Sequence, residues 1–204
     1  MRIAVLGTGA LAAALGAGWT RAGHEVTVAG RSAAKARTVA ESLGGRAEEP
    51  RAAVAGRDAV LLAVAWDGAA GMLAAAGAPD GSLAGVALVD PTNAVDHGVG
   101  VLLTGAGSMA ERIAAWAPGA GVVKAFHLMP AAQWAPGTPP VTVPICGDDP
   151  AALDVAGRLV RDVGATPAVL GPLARARQLE EVAGFTIGLA FAGTDPNSAI
   201  PRVP

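Results

Sequence analysis

The stretch Arg2-Ile3-Ala4-Val5-Leu6-Gly7-Thr8-Gly9-Ala10-Leu11-Ala12 decides the fold of this chain. A short apolar strand leads into a glycine turn, and the turn opens a run of small residues with helical character. A second strand, Glu25-Val26-Thr27-Val28-Ala29-Gly30, follows. Strand, turn, helix and strand in this order are the context that the G-x-G-x-x-G/A fingerprint of dinucleotide sites requires. Gly7 allows the tight turn, Gly9 lets the backbone approach a pyrophosphate, and Ala12 is small enough for helix and strand to pack closely. The free N–H groups that open the helix then face the phosphates. Gly7, Thr8, Gly9, Ala10 and Leu11 are the expected contacts.

The end of the second strand chooses the cofactor. A site for NAD places Asp or Glu there to accept hydrogen bonds from the ribose 2′-OH, whereas an Arg nearby accommodates the 2′-phosphate of NADP. This chain has Gly30 at that position, then Arg31 and Ser32, with Lys35 one helical turn on; the next carboxylate is Glu41. Two cations and a hydroxyl suit a phosphate dianion. The expected cofactor is NADP(H).

Composition bounds the rest. The 204 residues suffice for one domain with a small appendage, and 52% hydrophobic against 16% charged residues implies a sizeable core. A net charge of −2 without a basic run argues against a nucleic-acid partner. One cysteine, Cys146, excludes an internal disulfide and a cysteine-cluster metal site, and His24, His97 and His127 lack metal-ligand spacing. Tyr is absent, so a Tyr-x-x-x-Lys proton donor is absent too. The charge-free run from Ile3 to Thr20 resembles a signal peptide or a membrane span, but it is mostly Ala and Gly, and removing it would delete the glycine turn. The expectation is a soluble cytoplasmic protein without a membrane partner; a homodimer is carried as a further expectation.

Strand and helix patterns alternate along the remainder, which implies a doubly wound, mainly parallel α/β sheet of the Rossmann type with a small helical C-terminal extension. Residues 1–171 form the expected dinucleotide-binding domain and 172–204 a helix and tail closing the cleft. Helices are expected from Ser32 to Leu43, from Trp66 to Ala76, from Ser108 to Ala117, from Pro150 to about Val163 and from Leu173 to about Ala192. Strands are expected at 59–64, 86–89, 121–126, 141–146 and 166–170, with Pro144 marking an edge position. Ligands in such sheets bind beyond the carboxyl ends of the strands. That rule gathers Gly7–Leu11, Gly30–Lys35, Ala65–Gly68, Asp90–Asn93 and His127-Leu128-Met129-Pro130, with Val64, Ala65, Trp66, Thr92 and Asn93 as expected cofactor contacts. The first two would hold phosphates; the others would surround the nicotinamide and its hydride partner.

Three blocks carry a more specific signal: Val122–Ala132 around Lys124-Ala125-Phe126-His127-Leu128-Met129-Pro130, Val143–Asp149, and Gly171–Glu180. In order and spacing, together with the N-terminal fingerprint, they resemble the NADPH-dependent reductases of coenzyme F420. The resemblance implies reversible hydride transfer between NADP and a 5-deazaflavin, with Gly7, Thr8, Gly9, Arg31, Ser32 and Lys35 on NADP. It sets His127 by the deazaflavin ring, with Leu128, Met129 and Pro130 beside it. Asp90-Pro91-Thr92-Asn93 is similar to the Asp-x-Thr-Asn stretch of bacterial relatives. The chain departs from the family at Ala12, at Ala65-Trp66 where Pro-Trp is frequent, and in its last twelve residues.

Hydride transfer between two stacked rings asks for orientation more than for acid-base work. His127 is the candidate catalytic residue, donating a hydrogen bond, with a usual pKa near ~6.5 giving access to either charge state. Lys124 reads either as a general acid or as an edge residue with its amine in water. His24 reads as structural, Asp148-Asp149 as a helix cap, and Arg175 and Arg177 as contacts to a coenzyme's acidic tail or as a solvated helix face. Two other functions fit the same frame: an NADPH-dependent reductase of a small imine, ketone or enamine, and a non-catalytic NADPH sensor.

Overall fold

A computed structural model describes residues 1–201. The chain begins with β1 (Arg2–Leu6), α1 (Ala10–Arg21), β2 (Glu25–Ala29), α2 (Ala33–Leu43), β3 (Arg46–Ala47), α3 (Pro50–Ala53) and β4 (Ala59–Leu62). It continues with α4 (Ala69–Ala75), β5 (Ala87–Asp90), a small hairpin of β6 (Val95–Asp96) and β7 (Val101–Leu102), α5 (Met109–Trp116) and β8 (Gly121–Lys124). The last elements are β9 (Thr142–Gly147), α6 (Pro150–Asp162), β10 (Thr166–Gly171) and α7 (Ala176–Phe191).

Eight strands form one sheet in the order β10-β9-β8-β5-β4-β1-β2-β3. From β3 to β8 all neighbours are parallel and follow the doubly wound order, whose reversal falls between β1 and β4. The β9 strand joins β8 antiparallel, and β10 joins β9 parallel. Alternation along β1 feeds both faces. Ile3 and Val5 pack with Leu15, Trp19 and Leu159 on one side, while Ala4 and Leu6 pack with Leu73, Ile113 and Leu179 on the other.

Local chemistry sets the helix boundaries. Ser32 caps α2, its hydroxyl accepting from the Lys35 N–H, and Gly44 ends that helix in the left-handed conformation. Asp149 caps α6 through the Ala151 N–H. Ser108 and Glu111 form a reciprocal capping box on α5.

Two expectations need correction. Pro144 lies in an interior strand, not at an edge. It is tolerated because β8 pairs with β9 only at Cys146 and Gly147, which leaves that side of Pro144 without a ladder bond to supply. Lys124 is neither at an edge nor in water: β8 is flanked on both sides, and the side chain is fully buried. The expected tail from 193 runs through a turn at Pro196–Ala199, and its residues 202–204 lie outside the described residues.

Candidate functional site

At the reversal point, the turn after β1 faces the ends of β2 and β4 across a cleft of about 470 Å³. Among the residues expected there, Gly7, Thr8, Gly9, Arg31, Ser32, Lys35, Val64 and Ala65 line it. Gly9 is the N-cap of α1 and no side chain caps that helix, so its first N–H groups are left for a ligand. A Cβ at Gly30 would stand 2.9 Å from the Thr8 methyl, so Thr8 fills the place where an NAD site carries its acid. Arg31 and Lys35 are exposed and form no salt bridge among the described residues, which leaves both cations available to an anion. The cleft therefore fits a dinucleotide carrying a 2′-phosphate. Ala10 and Leu11 open α1 beside it, and Trp66 begins the turn after Ala65.

The other expected residues gather at the neighbouring strand ends, outside that cleft wall. Asn93 Nδ2 donates to the His127 carbonyl at 2.7 Å, joining the segment after β5 to the one after β8. Phe126, just before His127, has φ +62° although it is not glycine. An aromatic residue in this conformation is strained by roughly 1–2 kcal/mol. Two edge-to-face contacts hold it, with Trp19 at 6.1 Å and Trp134 at 5.2 Å between ring centroids. The Asn93 Oδ1 and both His127 ring nitrogens are buried with no hydrogen-bond partner among the described residues. Leu128 and Met129 are half-buried beside them and Pro130 is exposed.

Burial holds the His127 imidazole well below its usual 6.5, and the nearby Lys124 charge pushes the same way. His127 is therefore neutral at pH 7. It can donate one hydrogen bond and accept another, but it is not a charged acid there. The linkage is one-sided. The unfolded chain takes up this proton near 6.5 and the folded chain only at lower pH, so acidification below 6.5 removes stability and alkalinisation above it does not. His127→Gln is expected to flatten the acid limb of a stability-versus-pH curve measured by urea unfolding, and an unchanged limb would contradict a neutral buried ring.

The remaining candidates resolve simply. His24 is structural, placed between the N-terminal amine at 3.0 Å and Asp162 at 2.8 Å. Asp148 accepts from the Leu173 N–H. Arg175 binds Gln178, while Arg177 reaches the Gly105 and Gly107 carbonyls and Glu181, so both have protein partners. Burial pushes the Cys146 thiol up to about 11, which removes it as a nucleophile. Among the described residues no metal-binding group of His, Cys, Asp or Glu forms, and no helix is long and apolar enough to cross a membrane. Sequence reasoning quoted Asp90 and Glu180 within longer segments but gave neither a role of its own; both are fully buried. The Asp-x-Thr pattern was the available signal for Asp90, because Thr92 donates its N–H and its hydroxyl back to that carboxylate.

Fold and cleft together define a dinucleotide-binding protein of the Rossmann type, and comparison with known proteins makes it an NADP-dependent oxidoreductase. Residues 2–94 match the family described as NADP oxidoreductase, coenzyme F420-dependent, so the resemblance read from the sequence holds over that stretch. A structure from Arthrobacter sp. FB24, provisionally described as an F420-dependent NADP reductase, is 27% identical with a TM-score of 0.80, covering 95% of this chain and 96% of its own. The hypothetical protein SMa0349 of Sinorhizobium meliloti is 28% identical, with a TM-score of 0.73 over 85% of this chain and 86% of its own. An imine reductase from Aspergillus terreus, in complex with NADPH4 and dibenz[c,e]azepine, is 25% identical with a TM-score of 0.69. That likeness covers 94% of this chain but 63% of the reductase. No curated protein matches the sequence.

Proposed function

We propose that this enzyme transfers hydride between NADP(H) and a 5-deazaflavin coenzyme of the F420 type. In this reading residues 1–171 bind the dinucleotide and 172–204 close the cleft. Gly7, Thr8, Gly9, Ala10 and Leu11 would hold the pyrophosphate, and Arg31, Ser32 and Lys35 the 2′-phosphate. Val64, Ala65, Trp66, Thr92 and Asn93 would lie along the nicotinamide side, with His127 to Pro130 against the acceptor ring. When bound, NADPH supplies the hydride, and the deazaflavin takes it up together with a proton from solvent. The chain's part is to fix two rings face to face, and orientation of this kind contributes ~7–11 kcal/mol to lowering a barrier.

The observation that carries the reading is the acceptor wall. Among the described residues it holds a neutral imidazole and an amide oxygen, both buried without hydrogen-bond partners, and no charged proton donor free of ion pairs. Such a wall suits a ring that needs hydrogen bonds and no acid. A small imine or ketone reductase would need a proton donor here, and Lys124, the other candidate, is buried in ion pairs. The A. terreus neighbour keeps that second reading in play. The sensor reading is set aside, since the family and the neighbours with named activities are oxidoreductases. Mixing the protein with NADPH and a deazaflavin is expected to consume both in proportion, followed by absorbance, with no other substrate present. His127→Ala is expected to lower that rate on the order of 10-fold, one hydrogen bond's worth. Inert deazaflavin, with a carbonyl or imine reduced in its place and activity falling ~100-fold or more in His127→Ala, would favour the second reading.

Cofactor preference is a separate test. An Arg–phosphate bond contributes roughly 1.5–3 kcal/mol, so NADP is expected to bind at least ~10-fold tighter than NAD in calorimetry. Equal affinities would remove Arg31, Ser32 and Lys35 from the site.

The reading also takes the enzyme to be cytoplasmic, in keeping with a single buried cysteine, and homodimeric. From Val182 to Gly193 the chain carries no charge, yet Val182, Phe185 and Phe191 are exposed. Val99, Val101 and Leu103 of the hairpin region are exposed as well, and its Gly100 meets Gly184 with no room for a side chain between them. A helix end apolar all round is normally buried, and a second copy presents an equally uncharged face. Phe185→Glu is expected to convert a dimer to a monomer in light scattering, and a wild-type monomer would refute the dimer.

A further inference from the structure

Three charged side chains meet away from solvent where β5, β8 and α7 come together. Asp90 ends β5, Lys124 stands directly opposite it at the end of β8, and Glu180 lies early in α7. Lys124 Nζ is 3.0 Å from Asp90 Oδ2 and 2.8 Å from Glu180 Oε1, and it donates to the Thr92 carbonyl. Its three protons are thereby used. Asp90 Oδ1 accepts the Thr92 N–H at 2.8 Å and the Thr92 hydroxyl at 2.7 Å. Glu180 accepts the Met109 N–H at 2.8 Å and the Ala110 N–H at 3.2 Å, at the start of α5.

Stability alone does not account for such a cluster, because apolar side chains of similar volume often fill a buried ion-pair site at equal or lower free energy. The cluster supplies direction instead. Lys124 holds both ends of the Asp90–Thr92 turn, and the next residue, Asn93, holds the His127 backbone. A continuous line of bonds runs from α7 through the ammonium to the Asn93–His127 wall. None of its three charged members lines the dinucleotide cleft.

We propose that Lys124 is a positioning residue, which through Asp90, Thr92 and Glu180 sets the Asn93–His127 wall against which the hydride acceptor lies. The proposal rests on the deazaflavin reading of that wall for its kinetic consequence, not for its structural one. Misplacing a reacting ring by about 1 Å costs on the order of 100-fold, so Lys124→Met is expected to lower kcat toward the deazaflavin by about that factor. The acceptor's KM is expected to rise by a larger factor than the NADPH Kd measured by calorimetry, because the phosphate-side residues Gly7 to Gly9 and Arg31 to Lys35 lie away from the cluster. A purely structural role would weaken both ligands equally.

A second measurement needs no turnover. The chain has three histidines, so ring resonances of His24, His97 and His127 are separable by NMR and assigned by single substitution. Lys124→Met is expected to move the His127 signals and leave those of His24 and His97 in place. Glu180→Gln, which keeps Lys124 and Asp90, carries the same two measurements if Lys124→Met does not fold. Wild-type protein inert toward deazaflavin, with His127 signals that still move, would sink the functional reading and leave the positioning role standing. Unmoved His127 signals in a folded variant with wild-type kcat and KM would overturn the positioning role.

Discussion

Gly9→Val is expected to abolish NADP(H) binding while leaving the fold intact. Gly9 has φ −83° and ψ 179°, an extended conformation open to any residue, and a Cβ built there meets nothing among the described residues within 4 Å. The free protein can therefore carry the branched side chain, losing at most about 1 kcal/mol from a poorer helix cap. That empty space is where the reading puts the pyrophosphate, against the uncapped N–H groups of α1. A side chain filling it is expected to reduce affinity at least ~100-fold, equivalent to about 2.7 kcal/mol. Gly7 in the same motif fails differently. Its φ is +144°, and a Cβ there would stand 1.9 Å from the Ala63 carbonyl oxygen, so Gly7→Val is expected to destabilise the sheet itself. Calorimetry with NADP and a thermal melt on the two variants separate these outcomes. Normal NADP binding by Gly9→Val would show that the turn is not the phosphate site.

That contrast also shows what the sequence could carry. Periodicity and turn chemistry are local, so the βαβ unit, the helix starts at Ser32 and Ser108, the cap at Asp148-Asp149, and the mainly parallel sheet implied by alternating elements were legible from the chain. The cofactor side of the site was legible for the same reason, since Gly7 to Gly9 and Arg31 to Lys35 each sit within one loop. What was hidden depends on the sheet. Pro144 looked like an edge residue because a missing N–H is a property of the residue, whereas an unpaired side is a property of its neighbour's length. The strands β3, β6 and β7 have two residues each, too short to show any period. The acceptor wall was only half visible. His127 was identifiable, but its neutral state comes from burial and from Lys124, and neither can be read from spacing.

Lys124→Met is expected to be among the most destabilising single changes in the protein, lowering the free energy of unfolding by about 3–5 kcal/mol. The substitution is nearly isosteric, so it opens little cavity. It strands two carboxylates that have no access to water. Asp90 keeps its two bonds from Thr92 and Glu180 keeps its backbone donors from α5, but neither retains a cation. An exposed pair is the proper control. Arg51 and Asp80 lie 3.2 Å apart with side chains 66% and 69% exposed, and Arg51→Met is expected to change stability by no more than about 0.5 kcal/mol. Urea unfolding of both variants measures the difference directly. Adding Glu180→Gln to Lys124→Met is expected to recover part of the loss, because it removes one of the two stranded charges. Equal, small changes at Lys124 and Arg51 would mean that water reaches the cluster. The ammonium would then lack the fixed partners it needs to orient Asn93 and His127.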